Sequence, residues 1–223
     1  MDAGTAVIPI FPLSDVVLFP HVRKPFHLFE PRYRQMAEHV LAGDKQIGMI
    51  AVPPEHVDAM EGDPPVYPVG CIGAIVGSRQ RDDGRYDVVL HGTHRFRIEN
   101  ECERPEDRLY RVAEVALLED TSDPADAEAV AALRVRLVEL VTHPAHLSGA
   151  GSGRDASPEC LRELDDAIFV NSLSDALQLP TPEKQGLLEA DGIRKRFEHL
   201  EGLLSFHRAR LRNPGQPGGD RLH

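Results

Sequence analysis

Two histidines three residues apart, His91 and His94, are the closest approach to a metal-ligand pair in this chain. A metal site takes three or four protein ligands, and no third one follows at a matching spacing. A turn followed by the start of a surface strand accounts for both histidines. His143 and His146 flank Pro144 and suit a helix C-terminus, where a cation meets the negative end of the dipole. Cys71, Cys102 and Cys160 are odd in number and widely spaced, the usage of reduced thiols rather than of a disulfide framework. No C-x-x-C pair occurs, which removes the common zinc-binding cysteine patterns. Cys71 lies in an apolar run and reads as core rather than nucleophile. There is no G-x-x-x-x-G-K-[ST] phosphate loop, and no motif supports a small-molecule hydrolase. Glu30, Arg32 and Arg34 stand beside Phe29 and Tyr33. Their simplest reading is structural, with Glu30 balancing a helix start and the arginines solvated or paired. Arg194-Lys195-Arg196 and the arginines from Arg208 to Arg212 read as a solvated helix face. These residues predict no catalytic group, no metal and no cofactor.

Bulk composition narrows the class further. The chain has 223 residues, 41% hydrophobic and 27% charged, as expected of a soluble globular protein. Its net charge is −11, and neither half is basic: residues 1–120 hold 20 acids and 13 bases, residues 121–223 hold 16 and 12. That balance argues against binding a nucleic-acid backbone. No apolar run approaches the roughly 20 residues a membrane span needs. The start, MDAGTAVIPIF, lacks a basic segment and a cleavage site, so a cytoplasmic location without membrane association is expected.

The elements that must position the Phe29–Tyr33 cluster lie early. Ile8 to Phe19 is dense in apolar residues but interrupted by Pro9 and Pro12, with Pro20 following. Proline cannot donate to a strand ladder, so short pieces are expected: IPIF, a turn near Ser14-Asp15, then VVLF. Phe26, Leu28 and Phe29 form a second apolar group. Pro31 suits a first helical position. Tyr33, Met36, Ala37, Val40 and Leu41 then mark one face of a helix, with Gly43 as its left-handed cap. Strands are predicted at 46–52, 69–80, 86–90, 94–102 and 109–118. A loop covers 53–68, Asp83-Gly84 makes a hairpin, and a further turn falls at His91-Gly92-Thr93.

Composition changes at Asp120. Ser122 or Asp123 caps a helix whose apolar face runs through Val130, Leu133, Leu137, Leu140 and Val141. Residues 148–157 are a Ser/Gly-rich connector. A helix from Ser157-Pro158 turns Leu161, Leu164, Ile168, Leu173 and Leu177 inward, and a short helix starts at Thr181-Pro182. Ile193, Phe197, Leu200, Leu204, His207 and Leu211 form the narrow seam of a long last helix. The expected organisation is a β-rich domain over 1–120, a helical subdomain over 121–212 and a disordered tail over 213–223.

The stretch FPLSDVVLFPHVRKPFHLFEPRYRQM resembles the opening of the Lon N-terminal, or LON substrate-binding, domain family, closest to its stand-alone bacterial form. It departs from the family pattern at His27-Leu28 and at His21, where glycine is common. VGCIGAIVG, DGRYDVVLHGTHRFRI and YRVAEVALLED are similar to the family's later strands, and LSDALQLPTPEKQGLLEADGIRKRFEHLEGLL to its helical part. The resemblance covers roughly residues 7–206. It implies an α+β fold: a PUA-like β pseudo-barrel with one early helix, followed by a C-terminal helical subdomain.

It also implies a function: recognition of unfolded or exposed polypeptide segments, without enzymatic activity. The four lysines, Lys24, Lys45, Lys184 and Lys195, do not sit in the context of the family's Ser–Lys protease dyad, so a peptidase label would be inherited rather than active. The expected contact residues are Phe11, Leu13, Phe19, Phe29, Glu30, Arg32 and Tyr33. The expected partner is an unfolded polypeptide or protein client, with adaptor service to a separate protease and a monomer favoured. RNA binding through the PUA-like barrel is the rival reading, opposed by the acidic charge and by the absence of a basic, aromatic-studded strand. Self-association through the seam from Ile193 to Leu211 is a lesser alternative to intramolecular packing.

Overall fold

Prolines at Pro9 and Pro12 do not split the first strand. In the computed structural model, which describes residues 4–142 and 164–212, β1 runs unbroken over Thr5–Leu13. It is followed by β2 (Arg23–Leu28), α1 (Pro31–Leu41), β3 (Gln46–Ala51), β4 (Val69–Gln80), β5 (Tyr86–Glu101) and β6 (Arg111–Leu118). β1 pairs antiparallel with β6 from Thr5 to Ile10 and parallel with β3 from Ile10 to Leu13. Each proline therefore falls where β1 has a neighbour on one side only, so a missing N–H is tolerated. The expected VVLF strand does not form: Val16–Phe19 is irregular chain, with Val17, Leu18 and Phe19 buried in the core.

The spatial order is β2-β5-β4-β3-β1-β6, and β6 pairs back onto β5. Five strands thus close into a barrel, and β2 is added outside it along the first half of β5. The turn expected at His91-Gly92-Thr93 is absent; β5 is one strand of 16 residues. Its first half pairs with β2 and its second half with β6. Gly92 makes this change of partner possible. A Cβ there would stand 2.1 Å from the Phe19 carbonyl oxygen, so only glycine lets the irregular segment cross so close.

Other local expectations shift slightly. Loop 53–68 contains a 3-10 turn, Pro54–Ala59. α1 buries Tyr33, Met36, Ala37 and Val40 as its periodicity requires. The left-handed residue after it is Lys45, with φ 58°, rather than Gly43. His21 has φ 67°, at the position where the family pattern carries glycine, and its N–H is held by the Gly92 carbonyl at 2.8 Å.

Beyond β6, Asp123 accepts from the Ala125 N–H and starts a 3-10 turn that leads into α2 (Ala127–Thr142). α3 (Asp166–Ala176), α4 (Thr181–Glu189) and α5 (Ile193–Arg212) follow. The buried face of α3 is Phe169, Val170 and Leu173, with Ile168 only half-buried. The aromatic ring of Phe169 stacks on Phe197 of α5 at 5.7 Å, and that pairing rotates α3 from the expected face. Ile193, Phe197, Leu200 and Leu204 of the predicted seam are buried against the other helices, in one core cluster with α1 and the barrel. His143, His146, Cys160, Leu161, the 148–157 connector and the 213–223 tail lie outside the described residues, as does the side chain of Leu211.

The two halves meet through a buried ionic cluster. Asp120, just past β6, accepts from Arg95 of β5 at 2.7 Å and from Arg196 of α5 at 2.8 Å. Arg95 also donates to the Leu188 and Ala190 carbonyls, and Arg196 to Leu187 and Asn171. Arg196 has no exposed surface; it is not part of a solvated face, unlike Arg194 and Lys195. Gln185 of α4 adds a bond to the Val69 carbonyl of β4 at 2.9 Å.

Candidate polypeptide-binding site

β2, the first half of β5 and the far half of β4 form a three-stranded wing standing off the barrel. Strand alternation sends Tyr86, Val88 and Leu90 inward, where they are buried. The opposite face carries two cross-strand rows. Pro25, Val89 and Gly77 lie side by side in one, and His27, Asp87 and Arg79 in the next. Gly77 contributes no side chain, so the first row is a shallow apolar floor. Together these residues line an open groove of 500 Å³.

The polar row is organised by Asp87. It takes two bonds from Arg81, at 2.8 and 3.0 Å, and one contact from His27 at 2.8 Å. These hydrogen bonds, Arg81's first, hold the Asp87 carboxyl down at about 2. Arg79 has no ion-pair partner among the described residues. Phe29 follows β2 at the end of the wing. It stays 58% exposed, with its ring stacked on His27 at 6.0 Å.

The corner from Phe29 to Tyr33 is rigid. Glu30 occupies the N-cap position of α1; its carbonyl accepts the Tyr33 and Arg34 N–H groups, but its side chain caps no helix N–H and its carboxylate takes the Arg32 guanidinium at 2.9 Å. Arg32 also donates to the carbonyls of Gly62 and Met60 at 2.7 and 2.6 Å, tying the corner to loop 53–68. Its guanidinium lies 4.7 Å from the Tyr33 ring centroid. Burial, opposed by Arg32 and reinforced by Glu30, pushes the Tyr33 phenol up to about 12, so it stays neutral. Arg34 lies against Gly84 of the hairpin turn, where a Cβ would meet its Nη2 at 2.3 Å.

The seven residues nominated from the sequence therefore separate by depth. Phe11, Phe19 and Tyr33 are buried, Phe11 and Tyr33 packed edge-on at 4.4 Å. Leu13 is half-buried. Phe29, Glu30 and Arg32 reach the surface at one corner. The outer rows of the wing were not nominated. Their signal was present, because Pro25, His27 and Phe29 alternate along the chain and the Asp83-Gly84 turn sets the register of the hairpin.

Other chemistry-bearing residues are placed plainly. His91 and His94 share one continuous strand, and among the described residues no three His, Cys, Asp or Glu side chains gather as a metal set. Cys71 is fully buried beside Gly92, and burial pushes its thiol up. Among the described residues no helix is long and apolar enough to cross a membrane.

Comparison with known proteins matches residues 7–205 to the family model "ATP-dependent protease La (LON) substrate-binding domain". The Lon protease of Rhizobium meliloti (strain 1021) is 28% identical over 207 residues, which is 90% of this chain and 24% of that protein. The Lon protease of Azorhizobium caulinodans is 26% identical over 200 residues, 88% of this chain and 22% of that protein. The chain thus spans about a quarter of the length of these relatives. Among solved structures, a Lon N-terminal domain protein from Xanthomonas campestris superposes with TM-score 0.59 at 22% identity, covering 88% of this chain and 98% of that one. The N-terminal domain of a Mycobacterium avium complex Lon protease gives TM-score 0.68 at 16% identity, covering 91% and 100%. The fold is that of these domains.

Proposed function

The chain belongs to the LON substrate-binding domain family, and on that premise we propose that it is a non-enzymatic module that binds unfolded or exposed polypeptide segments. The observation that carries this reading is Phe29. A large aromatic side chain is left 58% exposed on a corner fixed by Arg32 and Glu30, stacked on His27 of the polar row that borders the apolar floor. Exposed aromatics on rigid supports act as binding anchors, because little entropy is lost on contact. Pro25, Val89 and Gly77 supply a floor for apolar side chains, and Arg79 and His27 supply polar contacts along its rim.

No chemistry beyond binding is needed. Asp87 is satisfied by Arg81 and His27, and Tyr33 and Cys71 are held protonated by burial, so neither serves as a base or nucleophile. Phe11, Phe19 and Leu13 act from below, by fixing the segment and helix that hold the corner. A module of this kind serves as an adaptor that delivers segments to a separate protease, in the cytoplasm and as a monomer.

Fluorescence anisotropy of the pure protein against a labelled unfolded polypeptide and a structured RNA, each at low and high salt, tests the reading. Saturable polypeptide binding that survives salt is expected, because apolar contacts are not screened. Salt-sensitive RNA binding with no polypeptide binding would replace it with the nucleic-acid reading.

A further inference from the structure

The wing has two open edges, and they differ. β2 pairs only with β5, but its free edge contains Pro25, which cannot donate, and Lys24 is engaged by Asp175 of α3 at 2.7 Å. Prolines and charges are the usual protections of an exposed edge. The far half of β4 contains no proline, and its one charge, Arg79, has no ion-pair partner among the described residues, unlike Lys24. β3 pairs with β4 only as far as Ala74, and the Lys45 carbonyl takes the Ile75 N–H. From Gly77 to Gln80 the strand pairs with β5 on one side, with Val76 standing in a bulge before it, and among the described residues the other side bonds to nothing. All five residues are exposed. The segment is VGSRQ, with no proline and with glycine and serine at its centre.

Resting on the polypeptide-binding reading above, we infer that the Val76–Gln80 edge of β4 is where a client chain enters, as an added antiparallel or parallel strand, and that the client class is an extended, proline-free segment. Alternate residues of an edge turn their N–H and C=O outward, so the edge offers a short ladder that an extended backbone with unpaired amides can satisfy. Sequence preference then comes from the flanks. Val76, 52% exposed, suits an apolar client residue. Arg79 has no acidic partner among the described residues, whereas Arg81 and Arg85 are held by Asp87 and Asp83; an acidic client residue complements it. The edge adjoins the groove through Gly77 and Arg79, so a strand added there places its outward side chains next to the Pro25–Val89–Gly77 floor. Main-chain pairing supplies generic affinity and the side chains bias it.

The test uses the full chain and a dye-labelled, unstructured peptide of alternating apolar and polar residues with one glutamate and no proline. Two derivatives carry N-methyl groups on alternate amides, one in each phase. A strand held by one edge uses only one phase of amides. One derivative is therefore expected to bind about tenfold more weakly or worse, for the loss of two or more main-chain hydrogen bonds, and the other to bind like the parent. Hydrogen exchange on the saturated complex is expected to protect amides within Val76–Gln80 and to leave Arg23–Leu28 unchanged. Parent binding that is indifferent to methylation in both phases, with no protection at Val76–Gln80, overturns the edge site while leaving polypeptide binding standing. Absence of parent binding overturns both.

Discussion

Arg196 Nη2 lies 2.8 Å from Asp120 Oδ1, although the two residues are 76 positions apart. One belongs to the last helix and the other follows the last strand. Arg95 reaches the same carboxylate from β5, so one acid holds two buried cations and joins the barrel to the helices. Removing a single partner from such a cluster leaves charge uncompensated in the interior.

Asp120→Ala strands both arginines and is expected to cost about 3–5 kcal/mol in urea unfolding. Arg196→Met leaves Asp120 paired with Arg95 and is expected to cost less. Equal effects would mean that the acid does not bridge the two.

The same carboxylate sets an acid limit. Burial alone would raise Asp120, but hydrogen bonds and charge from Arg196 and Arg95 outweigh it and hold the group below its ordinary range. A depressed carboxylate contributes stability that is fully present above its unfolded value, near ~3.9, and is lost as pH falls through the folded one. The stability gap between the wild type and Asp120→Asn is therefore expected to be constant above about pH 5 and to narrow below about pH 4. A gap that widens on acidification would contradict the assignment.

Backbone positions provide a second, independent check. Gly92→Ala places a Cβ against the Phe19 carbonyl, which a packed core cannot move, and is expected to cost about 3 kcal/mol or more. Gly202→Ala in α5 meets nothing within 4 Å and is expected to gain about 1 kcal/mol from helix propensity. His21→Gly relieves a left-handed residue and is expected to gain up to about 1 kcal/mol. Thermal unfolding of the three variants reads all of these.

Depth divides the nominated contact residues. Phe19 is fully buried, and Phe19→Ala is expected to cost about 3–5 kcal/mol. Phe29→Ala is expected to leave stability within about 0.5 kcal/mol, because most of its ring is exposed and it stacks on His27 at the surface.

Much of this was legible in the residues themselves. The α1 face, the hairpin at Asp83-Gly84 and the seam from Ile193 to Leu204 follow from periodicity and turn chemistry, which are local. What escaped was set by distant partners. Pro9 and Pro12 are strand residues because β1 changes neighbour between them, a fact about β3 and β6. Thr93 and His91 stay in strand because Gly92 lets Phe19 pass. Arg196 reads as solvent-facing among its basic neighbours, yet it stands three residues after Ile193 and four before Leu200, on the apolar face. That spacing was the available sign of burial, and only Asp120 explains why a cation is tolerated there. The wing's outer rows required register, which single strands do not carry.

The central claim is that Phe29 anchors bound polypeptide. Its most direct test is anisotropy of a labelled unfolded polypeptide against the wild type, Phe29→Ala and Phe206→Ala. The last removes another exposed phenylalanine, 56% accessible on α5, far from the wing in sequence. Saturable binding that weakens for Phe29→Ala and is unchanged for Phe206→Ala, with all three equally stable, is the expected result. Binding that Phe29→Ala leaves intact, or no saturable binding by the wild type at tens of micromolar, would contradict it.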